Sequence, residues 1–192
     1  MGYVRETLVT TKNADESIKV SPLGVYIDDK ILKLKPFKPS KSLENILRNE
    51  SGVINYVDDV RIFASCITNK EIQINFKKVS KIDCSRIEKA ISHTEFIVKD
   101  IKDDNQRPTI ICKPINEETH KMFYGFNRAK SAIIELCILA SRLGIIEDSK
   151  IKREISYLKI AIEKTAGENE LEAWNWLIEY IKNYKEDLTQ NV

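Results

Sequence analysis

The apolar residues of this chain change their period once, near residue 123, and no other feature restricts the fold as much. Before that point the runs read as strands. "ETLVTTK" (Glu6–Lys12) is rich in β-branched residues and is followed by a polar turn, "NADES". "IKVSPLGVYI" answers it, and "KILKLKP" alternates Ile31, Lys33 and Lys35 against Leu32 and Leu34. The Asp28-Asp29 pair between these runs suits a tight hairpin. "SLENILRNE" (Ser42–Glu50) instead carries Leu43, Ile46 and Leu47 at helical spacing, with Ser51-Gly52 as its stop. "GVINYV" is another strand, and "HTEFIVKDIK" with "RPTIICKPI" makes a hairpin across Asp103-Asp104-Asn105. Several short strands with one or two small helices predict a closed or nearly closed β-barrel over residues 1–120.

After that point the period is 3.6. "NRAKSAIIELCILASRLG" (Asn127–Gly144) is apolar almost all round, which predicts a buried helix closed by Gly144. "SKIKREISYLKIAIEKTAG" (Ser149–Gly167) sets Ile151, Ile155, Leu158 and Ile162 on one face. "NELEAWNWLIEYIKNY" (Asn169–Tyr184) does the same with Trp174, Leu177, Ile178 and Ile181. The expected class is α+β: a barrel followed by a C-terminal helical segment over residues 121–192, packed against it.

Composition removes several functions. With 31 basic and 29 acidic residues the formal charge is +2, too balanced for a general nucleic-acid binder. Cys66, Cys84, Cys112 and Cys137 are scattered without a C-x-x-C pair, and read as reduced thiols rather than zinc ligands or disulfides. No signal peptide opens the chain and no apolar run reaches membrane-spanning length, so a soluble cytoplasmic protein is expected.

The motif inventory is thin. G-x-G-x-x-G, P-loop, H-E-x-x-H and G-x-S-x-G are all missing. His93 and His120 are the only histidines, and each reads as an ordinary surface or strand-end residue; no metal site is expected. Asp58-Asp59 precedes an apolar segment and reads as helix capping ahead of a metal pair. There remains the stretch from Val20 to Ile46. Lys38, Ser40, Lys41 and Ser42 sit where a helix begins, and a phosphate monoester needs cations, hydroxyls and the free N–H groups of a helix N-terminus. Plain capping, Ser42 with Asn45, accounts for the same residues. "SPLGV" could line a flavin ring, since Pro22 cannot donate to a ladder and Gly24 permits close approach; an edge strand with a bulge is the equal alternative.

Taken together, "ETLVTT", "SPLGVY", "KPFKPSKSLENI", "VINYVDDVRIFA" and "FYGFNRAKSAIIELCILASRL" resemble the proteins grouped as domain of unknown function 447, within the FMN-binding split-barrel superfamily. The resemblance spans residues 5–143, and its last piece is absent from generic split barrels. It implies FMN held in a cleft between two subunits of a homodimer. Carried over by position, Ser40, Ser42 and Asn45 fall near the flavin phosphate, and Pro22, Leu23, Gly24 and Val25 along its ring. Asn55 falls on the N of a V-N-x-x-D-D run, and Asn127, Arg128 and Lys130 on the helical motif expected to face the same cleft. With Thr10, Thr11, Ser21, Lys35, Phe37, Lys38 and Lys41 these form the candidate cofactor set. Two departures stand out: Asp15-Glu16 replaces the usual Asp-Gly in the first turn, and Ser42 replaces a commoner threonine.

The resemblance speaks to fold and cofactor and names no reaction. An FMN-dependent oxidoreductase acting on a small molecule is the first expectation. A flavin carrier or sensor is the alternative, or a split barrel using deazaflavin or haem. No residue stands out as an obligatory proton donor. Neither nucleic acid nor membrane is an expected partner. For Arg128 and Lys130, cations at a helix N-terminus, the expected compensation is Glu135, Asp59 or an anion in the cleft.

Overall fold

A computed structural model describes residues 3–28 and 31–190. They divide into two compact units, one drawn from the described residues up to 57 and from 73–123, the other from 58–72 and from the described residues after 123.

The first unit is a closed six-stranded antiparallel barrel. Its strands are β1 (Tyr3–Lys12), β2 (Ile18–Asp28), β3 (Ile31–Leu34), β4 (Ser51–Tyr56), β7 (Ser92–Lys102) and β8 (Thr109–Thr119), in the order β1-β2-β3-β8-β7-β4. The pleat explains the alternation read above: Leu32 and Leu34 point inward with Val9, Val25, Ile54, Phe96 and Ile110, while Ile31 is exposed. Helix α1 (Lys41–Asn49) contributes Leu43 and Ile46 to this same buried cluster. The β7–β8 hairpin turns across residues 103–108 as expected, with register shifts after Glu95 and Val98. At the β2–β3 turn Asp29 lies outside the described residues.

Two turns depart from the residue types expected. Glu16 takes the left-handed conformation (φ 70°) usually left to glycine, held by Asp15, whose Oδ1 accepts from the Ser17 N–H at 3.1 Å and its hydroxyl at 2.6 Å. Helix α1 likewise ends on a left-handed Glu50 (φ 50°), not on Ser51-Gly52. Gly52 belongs instead to β4, where a Cβ would meet the Phe96 ring at 2.7 Å and the Thr10 carbonyl at 3.2 Å. Phe96 is fully buried. Gly52→Ala should therefore lower stability by about 1–3 kcal/mol, the range for an overfilled core. A thermal melt indistinguishable from the parent would show that the ring can move aside.

Residues 76–87 add a small second sheet, β5 (Phe76–Lys78) with β6 (Ser85–Ile87). Nothing in the sequence announces it, since three-residue strands are too short to show a period.

The second unit is helical: α2 (Arg61–Thr68), α3 (Arg128–Ala140), α4 (Asp148–Thr165) and α5 (Glu168–Gln190). Ala129, Ala132, Ile133, Leu136, Ile151, Leu158, Ile162, Trp174, Leu177 and Ile181 are buried in it, on the faces their spacing predicts. Helix α3 stops at Ala140, and Gly144 takes a left-handed φ of 79° in the turn that follows. Arg61 of α2 pairs with Asp59 just ahead of its helix (2.6 Å) and with Glu172 of α5 (3.1 Å). No helix among the described residues is long and apolar enough to cross a membrane.

Candidate functional site

The Val20–Ile46 stretch folds into two pieces of the barrel unit that meet. Along one side, β2 pairs with β1 through Val9↔Ser21, Leu8↔Pro22, Thr7↔Leu23 and Glu6↔Gly24. Along the other, β3 has only four residues and its ladder begins at Val25↔Leu34. Ser21–Gly24 are thus half-buried strand with a ladder on one side, whereas Val25 is fully buried. The second piece is the start of α1. Ser40, extended at φ −153°, is the N-cap, and its Oγ accepts from the Leu43 N–H at 3.4 Å. Capping therefore falls to Ser40 and not to Ser42.

Ser42 sits one residue inside the helix, buried, with its Oγ 2.5 Å from the Ser21 Oγ. Two hydroxyls carry two protons and their mutual bond uses one, so the pair keeps one O–H to donate elsewhere. The first helical turn leaves the Lys41 and Ser42 N–H groups without intrahelical acceptors, and the helix dipole makes that end positive. The flanking cations are held by exposed carboxylates: Lys38 Nζ lies 2.5 Å from Asp103 and Lys41 Nζ 3.0 Å from Glu44. Lys35 Nζ stands 4.8 Å over the Tyr26 ring, and Arg107 4.6 Å over that of Phe37.

Four members of the expected set make hydrogen bonds inside the barrel. Asn45 is fully buried; its amide donates to Thr11 Oγ1 (3.1 Å) and Asn13 Oδ1 (2.7 Å), and its oxygen accepts from Arg48 (3.0 Å). Asn55 is as deeply buried. Its amide hydrogens are shared among Leu8 O, Thr10 Oγ1 and Val53 O at 3.0–3.2 Å, and its oxygen accepts from the Ile87 N–H at 2.7 Å. Thr10 Oγ1 donates in turn to Ser85 O at 2.7 Å. Thr10, Thr11, Asn45 and Asn55 therefore act as internal fastenings, and Asn55 with Thr10 pins β6 to the barrel wall.

Asn127, Arg128 and Lys130 belong to the helical unit. Asn127 is the N-cap of α3, accepting from the Lys130 N–H at 3.2 Å and donating to Thr165 O at 2.9 Å. Lys130 pairs with Asp58. The N-cap of α2 is Val60, without a side-chain cap bond, and Asp59 just before it accepts the Arg61 N–H at 3.1 Å. Arg128 is exposed.

Both histidines lie at strand ends, as expected, but His93 is not a surface residue. His93 is 2% exposed, and its ring lies nearly parallel to that of His120 (interplanar angle 9°), with Nδ1 hydrogen-bonded to the neighbour's Nε2 at 2.8 Å. Burial holds both imidazoles below the usual histidine range. The signal was present as the mirrored triplets His93-Thr94-Glu95 and Glu118-Thr119-His120, whose outer members share a sheet face; recognising it required the β7–β8 register. Burial also raises the thiols of Cys84 to about 11 and of Cys112 and Cys137 to about 12, so these three stay protonated and unreactive.

Comparison with known proteins places this geometry. The family described as protein of unknown function (DUF447) matches at residues 5–121 through its N-terminal domain and at 127–179 through its C-terminal one. An uncharacterised protein of Methanocaldococcus jannaschii is 24% identical over 159 residues, 77% of this chain and 81% of its own length. Among solved structures, an FMN-bound DUF447 protein of Methanosarcina mazei superposes with a TM-score of 0.79 at 19% identity, covering 94% of this chain and 96% of that one. The 2-nitrobenzoate 2-nitroreductase of Pseudomonas fluorescens gives 0.53 at 19% identity, with 62% and 66% covered. A split-barrel-domain protein of Shewanella frigidimarina gives 0.53 at 12% identity, with 65% and 74% covered. At such identities the likeness is one of fold, and the fold is an α+β split barrel.

Proposed function

Because this chain belongs to the DUF447 family, we propose that it binds FMN noncovalently in the barrel unit and serves as an FMN-dependent oxidoreductase. One observation carries the reading: the Ser21–Ser42 hydrogen bond sets the half-paired edge of β2 beside the N-terminus of α1. The residues there fit the cofactor's two ends. A phosphate would take the Lys41 and Ser42 N–H groups, the spare O–H of the serine pair and the positive helix end. Lys41 would exchange its exposed bond to Glu44 for the phosphate at little cost, since such surface pairs are worth little. The ring would lie against Pro22 and Leu23, with main-chain groups of Ser21–Gly24 in reach. Thr10, Thr11, Asn45 and Asn55 contribute only by holding these elements in place.

Bound FMN would supply the electron-transfer chemistry, while the chain binds, orients and shields it. The reading includes a homodimer in which a second copy closes the cleft; the half-exposed β2 edge supports it, and the mass in solution tests it. FMN fluorescence should quench on titration and saturate at one per chain, with riboflavin much weaker. Ser42→Ala should cost FMN about 1–3 kcal/mol of binding and leave riboflavin nearly unchanged, as for a hydrogen bond to a charged group. Equal affinity for FMN and riboflavin would remove the phosphate from α1. Anaerobic bleaching of the bound flavin by NADH or NADPH separates an oxidoreductase from a carrier.

A further inference from the structure

The mirrored triplets put an unusual set of side chains on one face of the β7–β8 hairpin. His93 stands directly opposite Glu118, and Glu95 opposite Asn116. His120 follows Glu118 by two residues, its N–H donating to Ile91 O at 2.7 Å just past the end of β8. One potential ligand atom from each of His93, Glu118 and His120 lies within 4.8 Å of the others. Beside them opens a cavity of about 250 Å³ bordered by Lys77, Lys78, Ser80 and Arg86.

We propose that His93, His120 and Glu118 form a binding site for a divalent first-row transition ion of the zinc class, separate from the flavin reading and independent of it. Two imidazole nitrogens and one carboxylate oxygen are a ligand set such ions favour over magnesium or calcium. Tetrahedral zinc–nitrogen bonds of about 2.0–2.1 Å set two nitrogens about 3.3 Å apart. An ion would replace the present Nδ1···Nε2 hydrogen bond of 2.8 Å, with the two rings swung so that both lone pairs converge on it. The remaining coordination position would face the cavity and take water.

The surroundings favour this over a chance cluster. His93 Nε2 is buried without a hydrogen-bond partner, and the nearest acceptor is Glu95 Oε1 at 3.7 Å. A carboxylate behind a histidine fixes the proton on the far nitrogen and turns the other lone pair outward, as ligating histidines require. Glu95 is itself held in place by the N–H groups of Lys81 (2.8 Å) and Ile82 (3.1 Å). The Asn116 amide bonds Glu95 Oε1 at 2.9 Å and Glu118 Oε1 at 2.8 Å, which leaves Glu118 Oε2 for the ion. Arg86 brings positive charge, yet its guanidinium turns to the Ile87 and Glu88 carbonyls (3.0 and 2.8 Å). With Glu95 and Glu118 facing the histidines, an anion such as phosphate is the poorer fit.

The test uses the full chain, stripped with chelator and titrated with zinc by calorimetry and with cobalt by visible absorption. One ion per chain is expected, with the ligand-field bands of a nitrogen- and oxygen-bound cobalt. His120→Ala and Glu118→Gln lie at the more accessible side of the site and should leave the circular dichroism spectrum unchanged. Each should weaken zinc at least tenfold, the scale seen when ligand shells are altered. Saturable zinc binding that both variants retain, cobalt bands of thiolate type, or no saturable binding by the parent chain would overturn the assignment. So would inorganic phosphate binding in place of zinc.

Discussion

Asn55→Ala should cost the fold about 3–5 kcal/mol, because the buried Ile87 N–H and Leu8 carbonyl lose their partner and each unmade hydrogen bond of this kind costs about 1–3 kcal/mol. The side chain is fully buried and ties its own strand to two others, β1 and β6, so water cannot substitute for it without opening the wall. Urea unfolding should show a lower midpoint with an unchanged slope. Asn55→Asp sharpens the test. It keeps an acceptor for Ile87 but loses both donors and buries a charge, and should be no better than alanine. A loss under about 1 kcal/mol for the alanine variant would mean that the amide does not fasten β6 to the barrel.

Glu95→Ala should be comparably severe. Burial opposes ionisation of this carboxyl, but hydrogen bonds from Asn116 and from the Lys81 and Ser80 N–H groups outweigh it and hold the acid below its usual range. It is therefore an anion with no exposed surface, caged by donors from the 80–82 turn. Removing it strands two well-formed main-chain donors, a loss of about 3–5 kcal/mol on the scale of a broken buried charge network. The damage should be local first: hydrogen exchange at Lys81 and Ile82 should accelerate before that of β7. Glu95→Gln keeps an acceptor without the charge and should fall between parent and alanine. If exchange at Lys81 and Ile82 is unaltered in Glu95→Ala, the turn is held by something else.

The barrel was legible wherever a strand keeps one face inside, as Leu32 and Leu34 do in β3, and the helices wherever a 3.6 period ran for several turns. The helix stop was misread because Glu50 takes a left-handed conformation that its residue type does not advertise, while the glycine two places on answers to Phe96. Resemblance picked out Asn45 and Asn55, and the structure shows both buried and hydrogen-bonded within the barrel. A buried amide reads the same in a sequence whether it faces a ligand or a carbonyl of its own chain. Segment 58–72 shows a similar limit. Asp59 and its helix were readable locally, but their place with the C-terminal helices depends on partners such as Glu172, more than a hundred residues away. The histidine pair failed for the same reason: two triplets on different strands become one cluster only through register.

The short β3 strand has a consequence for life in a crowded solution. A barrel normally hides every strand edge, yet here Ile18–Gly24 keeps one side out of the ladder, and bare edges invite pairing with other chains. Pro22 in the middle of that run cannot donate a hydrogen bond, and Lys19 brings an exposed charge to its start, two devices that discourage a further strand from adding on. The same gap that could admit a flat ligand is thus a poor template for aggregation.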